Sequence, residues 1–177
     1  MLNNIQADAE VIISSALNGI GGNPYVGISL NLPTILPVNL IPRIPGVQPP
    51  VVCIIVPPSA HDEYLIISHS YVVQFVIKRV EGDIYTLTTN GMQVIELEGR
   101  VFAAVEHAPQ EWVIKYRELQ DAYTITKRLP VPEEIGWIAP IDGENAQIRV
   151  GPLNDTPTAP PGQYPLEELY KFQFPSL

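Results

Sequence analysis

Short apolar runs alternate with polar turns along most of this chain. Residues 10–15, 25–30 and 51–56 are rich in valine and isoleucine, and glycine, proline or asparagine follows each run closely. Runs of about four to eight such residues, bounded by turn formers, are typical of β-strands. Asn90-Gly91, between two further runs, predicts a tight hairpin. The pattern as a whole predicts about a dozen short strands, with one helical turn at 166–169.

Part of this pattern occurs twice. The apolar strand that begins at Phe75 recurs at Trp112, 37 residues later, and Tyr85 recurs as Tyr123, 38 residues later. A fixed period of this size marks symmetric structural units. Three four-stranded units, with residues 170–174 pairing with residues 10–14, form a β-trefoil, and this closure leaves no open sheet edge. We therefore predict an all-β protein with a β-trefoil fold, because a β-sandwich does not account for the repeat.

The first unit is longer than the others. From Val11 to the matching Ile84 there are 73 residues, whereas the next unit needs about 39. An additional hairpin at about 51–74 accounts for the difference. The chain of 177 residues fits one domain. We expect a single domain over residues 1–177, with a core of about 10–174.

Composition excludes several classes of partner. The formal net charge is −9, and the ten basic residues are scattered. Nucleic acids and anionic membranes both require clustered cations, so we expect neither as a partner. The chain shows neither a secretory signal pattern nor an apolar run long enough for a membrane helix. We therefore expect a cytoplasmic protein.

Motifs that would indicate catalysis are missing from the sequence. His61, His69 and His107 are far apart, and one cysteine cannot form a cysteine-based zinc site. The acidic pairs at 96/98 and 133/134 fit a solvated surface better than an acid–base pair. We expect no metal, no cofactor and no enzymatic activity.

Tryptophan offers one alternative, a carbohydrate-binding protein whose exposed aromatic rings stack on sugars. Trp112 occupies the repeat position that Phe75 holds in the other copy, so it is expected to pack in the core. For Trp137, which follows Gly136, the sequence does not decide between packing in the core and binding a sugar. A glycan therefore remains an alternative partner.

Proline-rich loops provide a different kind of binding surface. A rigid loop that is already ordered before binding can convert its contacts into affinity. Arg43 lies between Pro42 and Pro45, and Arg128 lies two residues before Pro130. Either cation could enter the acidic specificity pocket of a trypsin-like protease.

From about residue 10 to residue 174 the chain resembles the mushroom β-trefoil protease inhibitors of the mycospin and mycocypin type. The segments that carry the resemblance include Gly82-Asp83-Ile84-Tyr85-Thr86-Leu87, Gly136-Trp137-Ile138-Ala139-Pro140 and Gln147-Ile148-Arg149-Val150-Gly151-Pro152-Leu153. Their order and spacing are closest to the branch that inhibits serine proteases. The resemblance implies a fungal defence protein, a monomer, that inhibits a trypsin-like serine protease.

The resemblance also ranks the inhibitory residues. In this family inhibition resides in variable surface loops, and one similar member uses an asparagine in the loop after the second strand. Asn31 matches that position, Lys127 and Arg128 match a late loop approximately, and Arg43 ranks last. A cysteine protease inhibitor of the same fold remains an alternative.

Overall fold

The structure is a computed structural model, and it describes residues 5–6, 8–29, 34–43, 51–56, 67–141, 145–154 and 163–175. For residues 51–56 and 67–70 it describes the backbone alone. Asn31 and His61 therefore lie outside the described residues, as does the side chain of His69. The described part of the chain holds a 15-stranded sheet and two short 3₁₀ turns, Glu118–Gln120 and Leu166–Glu168.

The strands follow one another in chain order as β1 (Ala9–Ser15), β2 (Tyr25–Ser29), β3 (Ile35–Pro37), β4 (Asn39–Ile41), β5 (Val51–Val56), β6 (Ile67–Val72), β7 (Gln74–Glu81), β8 (Ile84–Thr89), β9 (Met92–Leu97), β10 (Arg100–Ala104), β11 (Trp112–Arg117), β12 (Ala122–Lys127), β13 (Ile135–Ile138), β14 (Arg149–Pro152) and β15 (Tyr170–Gln173). The prediction of an all-β protein is confirmed.

The prediction of a β-trefoil is wrong, because the sheet closes into a nine-stranded barrel. The closed path of paired strands runs β1–β7–β8–β9–β10–β14–β13–β12–β15 and back to β1, while β11 pairs with both β8 and β12. Strand β10 pairs with β9, β3 and β14, so it joins segments that the repeat would assign to separate units. The repeat specifies local hairpins, but long-range register decides how those hairpins join.

The two copies of the repeat do form matching hairpins. In the first, β7 pairs with β8, and Ile77 lies opposite Leu87; in the second, β11 pairs with β12, and Ile114 lies opposite Ile125. The predicted pairing of the last strand with the first is also present, since β15 pairs with β1. At the predicted tight turn both Asn90 and Gly91 have positive φ, 50° and 77°, as a type I′ turn requires.

Strands β5 and β6 form an antiparallel pair in which β6 also pairs with β2. Both strands fall in the segment 51–74 that the sequence marks as an additional hairpin. That this pair is an insertion into a single domain stays a prediction.

The barrel interior is packed with large apolar side chains. Trp112, Trp137 and Tyr170 are each fully buried, and their rings meet edge to face. The ring centroids of Trp112 and Trp137 are 5.5 Å apart, and those of Trp137 and Tyr170 are 5.8 Å apart. The indole N–H of Trp112 donates to the Val94 carbonyl at 3.0 Å. A core of interlocked aromatic rings fixes the strand ends that carry the surface loops.

Candidate functional site

The structure brings Lys127 and Arg128 together at one cleft of about 810 Å³. The cleft lies where β7 and β8 face the end of β12 and the segment before β11. Its charged lining residues are Lys78, Arg79, Glu111, Lys127 and Arg128. Arg79 donates to the Tyr85 hydroxyl at 3.0 Å, and this hydrogen bond raises the pKa of Arg79. Cations of a strongly acidic chain are thus concentrated at this cleft.

Lys127, the last residue of β12, is held by an internal ion pair. Its Nζ lies 3.1 Å from Glu96 Oε2, and both side chains are partly buried. Burial raises the pKa of Glu96, but the Gly99 N–H and the Lys127 ammonium outweigh this effect, and the pKa is lowered overall. The pair therefore fixes the end of β12 against β9 and holds the Lys127 ammonium against Glu96.

Arg128 begins the β12–β13 loop (residues 128–134) and binds two carboxylates. One guanidinium nitrogen lies 2.6 Å from Glu111 Oε2, and the other lies 2.8 Å from Glu81 Oε1. The hydrogen bond to Glu111, and then its charge, raise the pKa of Arg128. The side chain is still 44% exposed, and ion pairs at such exposure contribute little to stability because water and salt screen them. Arg128 therefore anchors the loop but could leave its partners at modest cost.

Glu134 anchors the other end of the same loop. Its carboxylate accepts a hydrogen bond of 2.6 Å from Arg117 Nη2 and another of 2.6 Å from the Tyr164 hydroxyl. Its backbone carbonyl accepts from the Leu153 N–H at 2.8 Å. Burial raises the pKa of Glu134, but the Tyr164 and Arg117 hydrogen bonds outweigh burial, and the pKa is lowered overall. Both ends of the loop are thus fixed by charged contacts.

Between these anchors the chain bends outward. Pro130, Val131, Pro132 and Glu133 are all exposed, and Val131 is 49% exposed. Each proline fixes its own φ and restricts the residue before it, here Leu129 and Val131. The β12–β13 loop therefore combines an exposed tip with a stiff backbone.

Arg43, the remaining described candidate, packs against the turn between β1 and β2. Its Nε donates to the Asn23 carbonyl at 2.6 Å, and its guanidinium carbon lies 4.4 Å from the centre of the Tyr25 ring. Gly21 and Gly22, at φ of 84° and 120°, pack against Arg43 so closely that a side chain at either position would contact it. Arg43 is half-buried by these contacts, which give it a structural role at this turn.

The two tryptophans cannot serve as a surface platform for sugars, because both are 0% exposed. The packing role expected for Trp112 is confirmed, and Trp137 shares it. His107 is exposed at the cleft, where its Nδ1 lies 2.9 Å from the Ala108 carbonyl. Within the described ranges, no three histidine, cysteine or acidic side chains come together as a metal site would require. No helix in the part of the chain that the structure describes is long and apolar enough to cross a membrane.

The sequence did not reveal the residues that hold the loop. Glu81, Glu111, Arg117 and Tyr164 lie far from the loop in the chain, and strand pairing brings them to it. A local signal does exist, since two prolines are flanked by Lys127-Arg128 on one side and Glu133-Glu134 on the other. Opposite charges at the two ends of a proline-rich loop indicate that both ends could be anchored.

Comparison with known proteins decides the family. The sequence of residues 50–174 matches the family described as peptidase inhibitor I66. The chain belongs to this family. No curated protein matches the sequence. Membership of an inhibitor family supports the expectation of a non-enzymatic protein and implies a peptidase as partner.

Two solved structures share the fold of this I66 family member. A proteinase inhibitor from Coprinopsis cinerea superposes with a TM-score of 0.63 at 22% identity, over 97% of this chain and 99% of that one. Cry35Ab1 superposes with a TM-score of 0.60 at 14% identity, over 98% of this chain and 38% of that one. At sequence identities this low, the two structural similarities show a shared fold alone.

Proposed function

We propose that this peptidase inhibitor acts on a serine protease of trypsin-like specificity by presenting a rigid surface loop. Family membership supplies the inhibitory activity. The observation that carries the mode of action is the β12–β13 loop, which is fixed at both ends by Arg128 and Glu134. A loop that is ordered before binding loses little entropy in the complex and remains in place after attack.

The candidate inhibitory residues keep the order that the resemblance gave them. Asn31, which lies outside the described residues, ranks first. Lys127 and Arg128 rank second, and Arg128 is the more accessible because its ion pairs are exposed. Arg43 ranks last, because leaving the Asn23 carbonyl and the Tyr25 ring would disrupt the turn. A fungal origin, a cytoplasmic location and a monomeric state stay predictions.

Steady-state inhibition of trypsin, chymotrypsin, subtilisin and papain tests this function. The wild-type protein, Asn31→Ala, Arg43→Ala and the double variant Lys127→Ala/Arg128→Ala are compared with each enzyme. We expect tight inhibition of trypsin that one variant weakens at least about 100-fold, as the loss of a central contact does. Inhibition of papain without inhibition of trypsin would contradict the proposal and assign the chain to cysteine proteases.

A further inference from the structure

Val131 is an exposed apolar residue at the tip of the β12–β13 loop. It is an aliphatic residue, 49% exposed, in a loop whose two ends are held by contacts among six charged or hydroxylic side chains. Single exposed aliphatic residues are common on protein surfaces. What distinguishes Val131 is that prolines on both sides and anchors at both ends hold it in one position.

The charges around the tip restrict what it can bind. Arg128, at the base of the loop, is paired with Glu81 and Glu111, and the charged side chain exposed at the tip is that of Glu133. The side chain that projects is short, branched and apolar, and it suits a small apolar pocket. The chain carries a net charge of −9, which favours association with a basic partner through electrostatic steering.

We infer that the same β12–β13 loop also binds a second protease, through its tip and not through Lys127 or Arg128: Val131 enters the specificity pocket of a basic serine protease that prefers small aliphatic side chains. The inference shares with the proposed function the premise of inhibition by a rigid loop. It requires neither Asn31 nor a lysine or arginine in the pocket.

Proline at position 132 explains how such a loop resists cleavage. A serine protease must form an acyl bond to Val131 while its histidine donates a proton to the leaving nitrogen of residue 132. In proline that nitrogen carries the ring Cδ atom instead of hydrogen. The ring crowds the approach of the histidine, so the bond between Val131 and Pro132 should persist in the complex.

Inhibition of pancreatic elastase, measured beside inhibition of trypsin, tests the inference. We expect the wild-type protein to inhibit elastase, and Val131→Asp to inhibit it at least about 100-fold more weakly, because a carboxylate would be buried in an apolar pocket. Val105→Asp is the matched control, because Val105 is 47% exposed in another turn. Equal melting temperatures of the two variants would show that folding is not the cause.

A second variant tests the role of the proline. Pro132→Ala restores an ordinary amide nitrogen, so we expect elastase to hydrolyse the bond after Val131 and inhibition to fade within the assay. Mass spectrometry would then find a single cut between residues 131 and 132. An uncut Pro132→Ala variant that still inhibits would overturn the role given to the proline. A wild-type protein that does not inhibit elastase, or a Val131→Asp variant that inhibits as well as wild type, would overturn the inference.

The two enzymes separate this inference from the proposed function. Loss of trypsin inhibition in Asn31→Ala, with elastase inhibition intact, would support both. Elastase inhibition that depends on Val131, in a protein that does not inhibit trypsin, would overturn the proposed function alone. Trypsin inhibition without any elastase inhibition would overturn the inference alone.

Discussion

At the scale of single residues, Arg43 shows how a candidate inhibitory cation can serve the fold. Arg43→Ala removes the hydrogen bond to the Asn23 carbonyl and the contact with the Tyr25 ring. We expect it to lower the free energy of unfolding by about 1–2 kcal/mol. The free energy of unfolding of Arg43→Lys should lie between those of wild type and Arg43→Ala, because lysine keeps the charge but loses the planar guanidinium.

Thermal unfolding of the three proteins, with trypsin inhibition measured in parallel, checks this prediction. We expect inhibition by Arg43→Ala to stay close to that of wild type. An unchanged melting temperature together with lost inhibition would instead make Arg43 an inhibitory residue.

The sequence identified the exposed or basic candidates at this scale but not their partners. Lys127 and Arg128 are adjacent in the chain, yet they bind Glu96 on β9 and Glu81 and Glu111 elsewhere. These partners depend on which strands become neighbours, which a local pattern does not determine. Burial of Trp137 has the same origin, since the residue contacts Trp112 and Tyr170 across the barrel.

At the scale of elements, the stability that the anchored β12–β13 loop gives to the fold should depend on pH through Glu134. Its pKa is lowered in the folded state, so ionised Glu134 stabilises the fold above the unfolded pKa of about 4.3, and this contribution disappears as pH falls through the lower, folded value. Wild type should therefore be more stable than Glu134→Gln at pH 7, and the difference should vanish in strong acid.

Melting temperatures of both proteins between about pH 2 and pH 7 check the dependence on Glu134. Glu133→Gln is the matched control, since the Glu133 side chain is exposed at the tip. A stability gap between wild type and Glu134→Gln that is constant over this range would contradict the role given to the carboxylate.

The hairpins were the most predictable elements. Alternating apolar residues and the positive-φ turn at Asn90-Gly91 act locally, and β7–β8, β8–β9 and β11–β12 all form as expected. In the proline-rich segment after β2, β3 and β4 form as strands of only three residues. Their pairing with β10 and β2 depends on residues elsewhere in the chain, which a local pattern does not identify.

At the scale of the whole molecule, barrel closure depends on β15, which pairs with both β1 and β12. Lys171, opposite Ser14, is exposed on this strand. Lys171→Pro should remove a donor from the strand and strain it, at a cost of about 3 kcal/mol. For a chain of this size that cost corresponds to a fall of roughly 6–12 °C in melting temperature.

Lys171→Ala is the matched control, because it removes the same charge and leaves the backbone donor in place. Calorimetry or circular dichroism would compare the two variants with wild type. Equal melting temperatures for Lys171→Pro and Lys171→Ala would show that this strand contributes little to closure.

The repeat period correctly indicated two matching hairpins, and the expected pairing of the last strand with the first is present, but together they led to the wrong architecture. Two hairpins of similar sequence fit several ways of closing a sheet. The choice among them is made by β10, whose neighbours β3, β9 and β14 come from three separate parts of the chain.

The pairing of Ile12 with Gln173 also affects how fast this protein folds and unfolds. Contacts between residues so distant in sequence form late, because the chain loses loop-closure entropy before these contacts can stabilise the fold. Folding of sheets that depend on such contacts takes milliseconds to seconds. The reverse reaction is slow as well when it must break interactions that form after the folding barrier. For a protein that meets peptidases, a long unfolding half-life would limit the time during which its strands are open to cleavage.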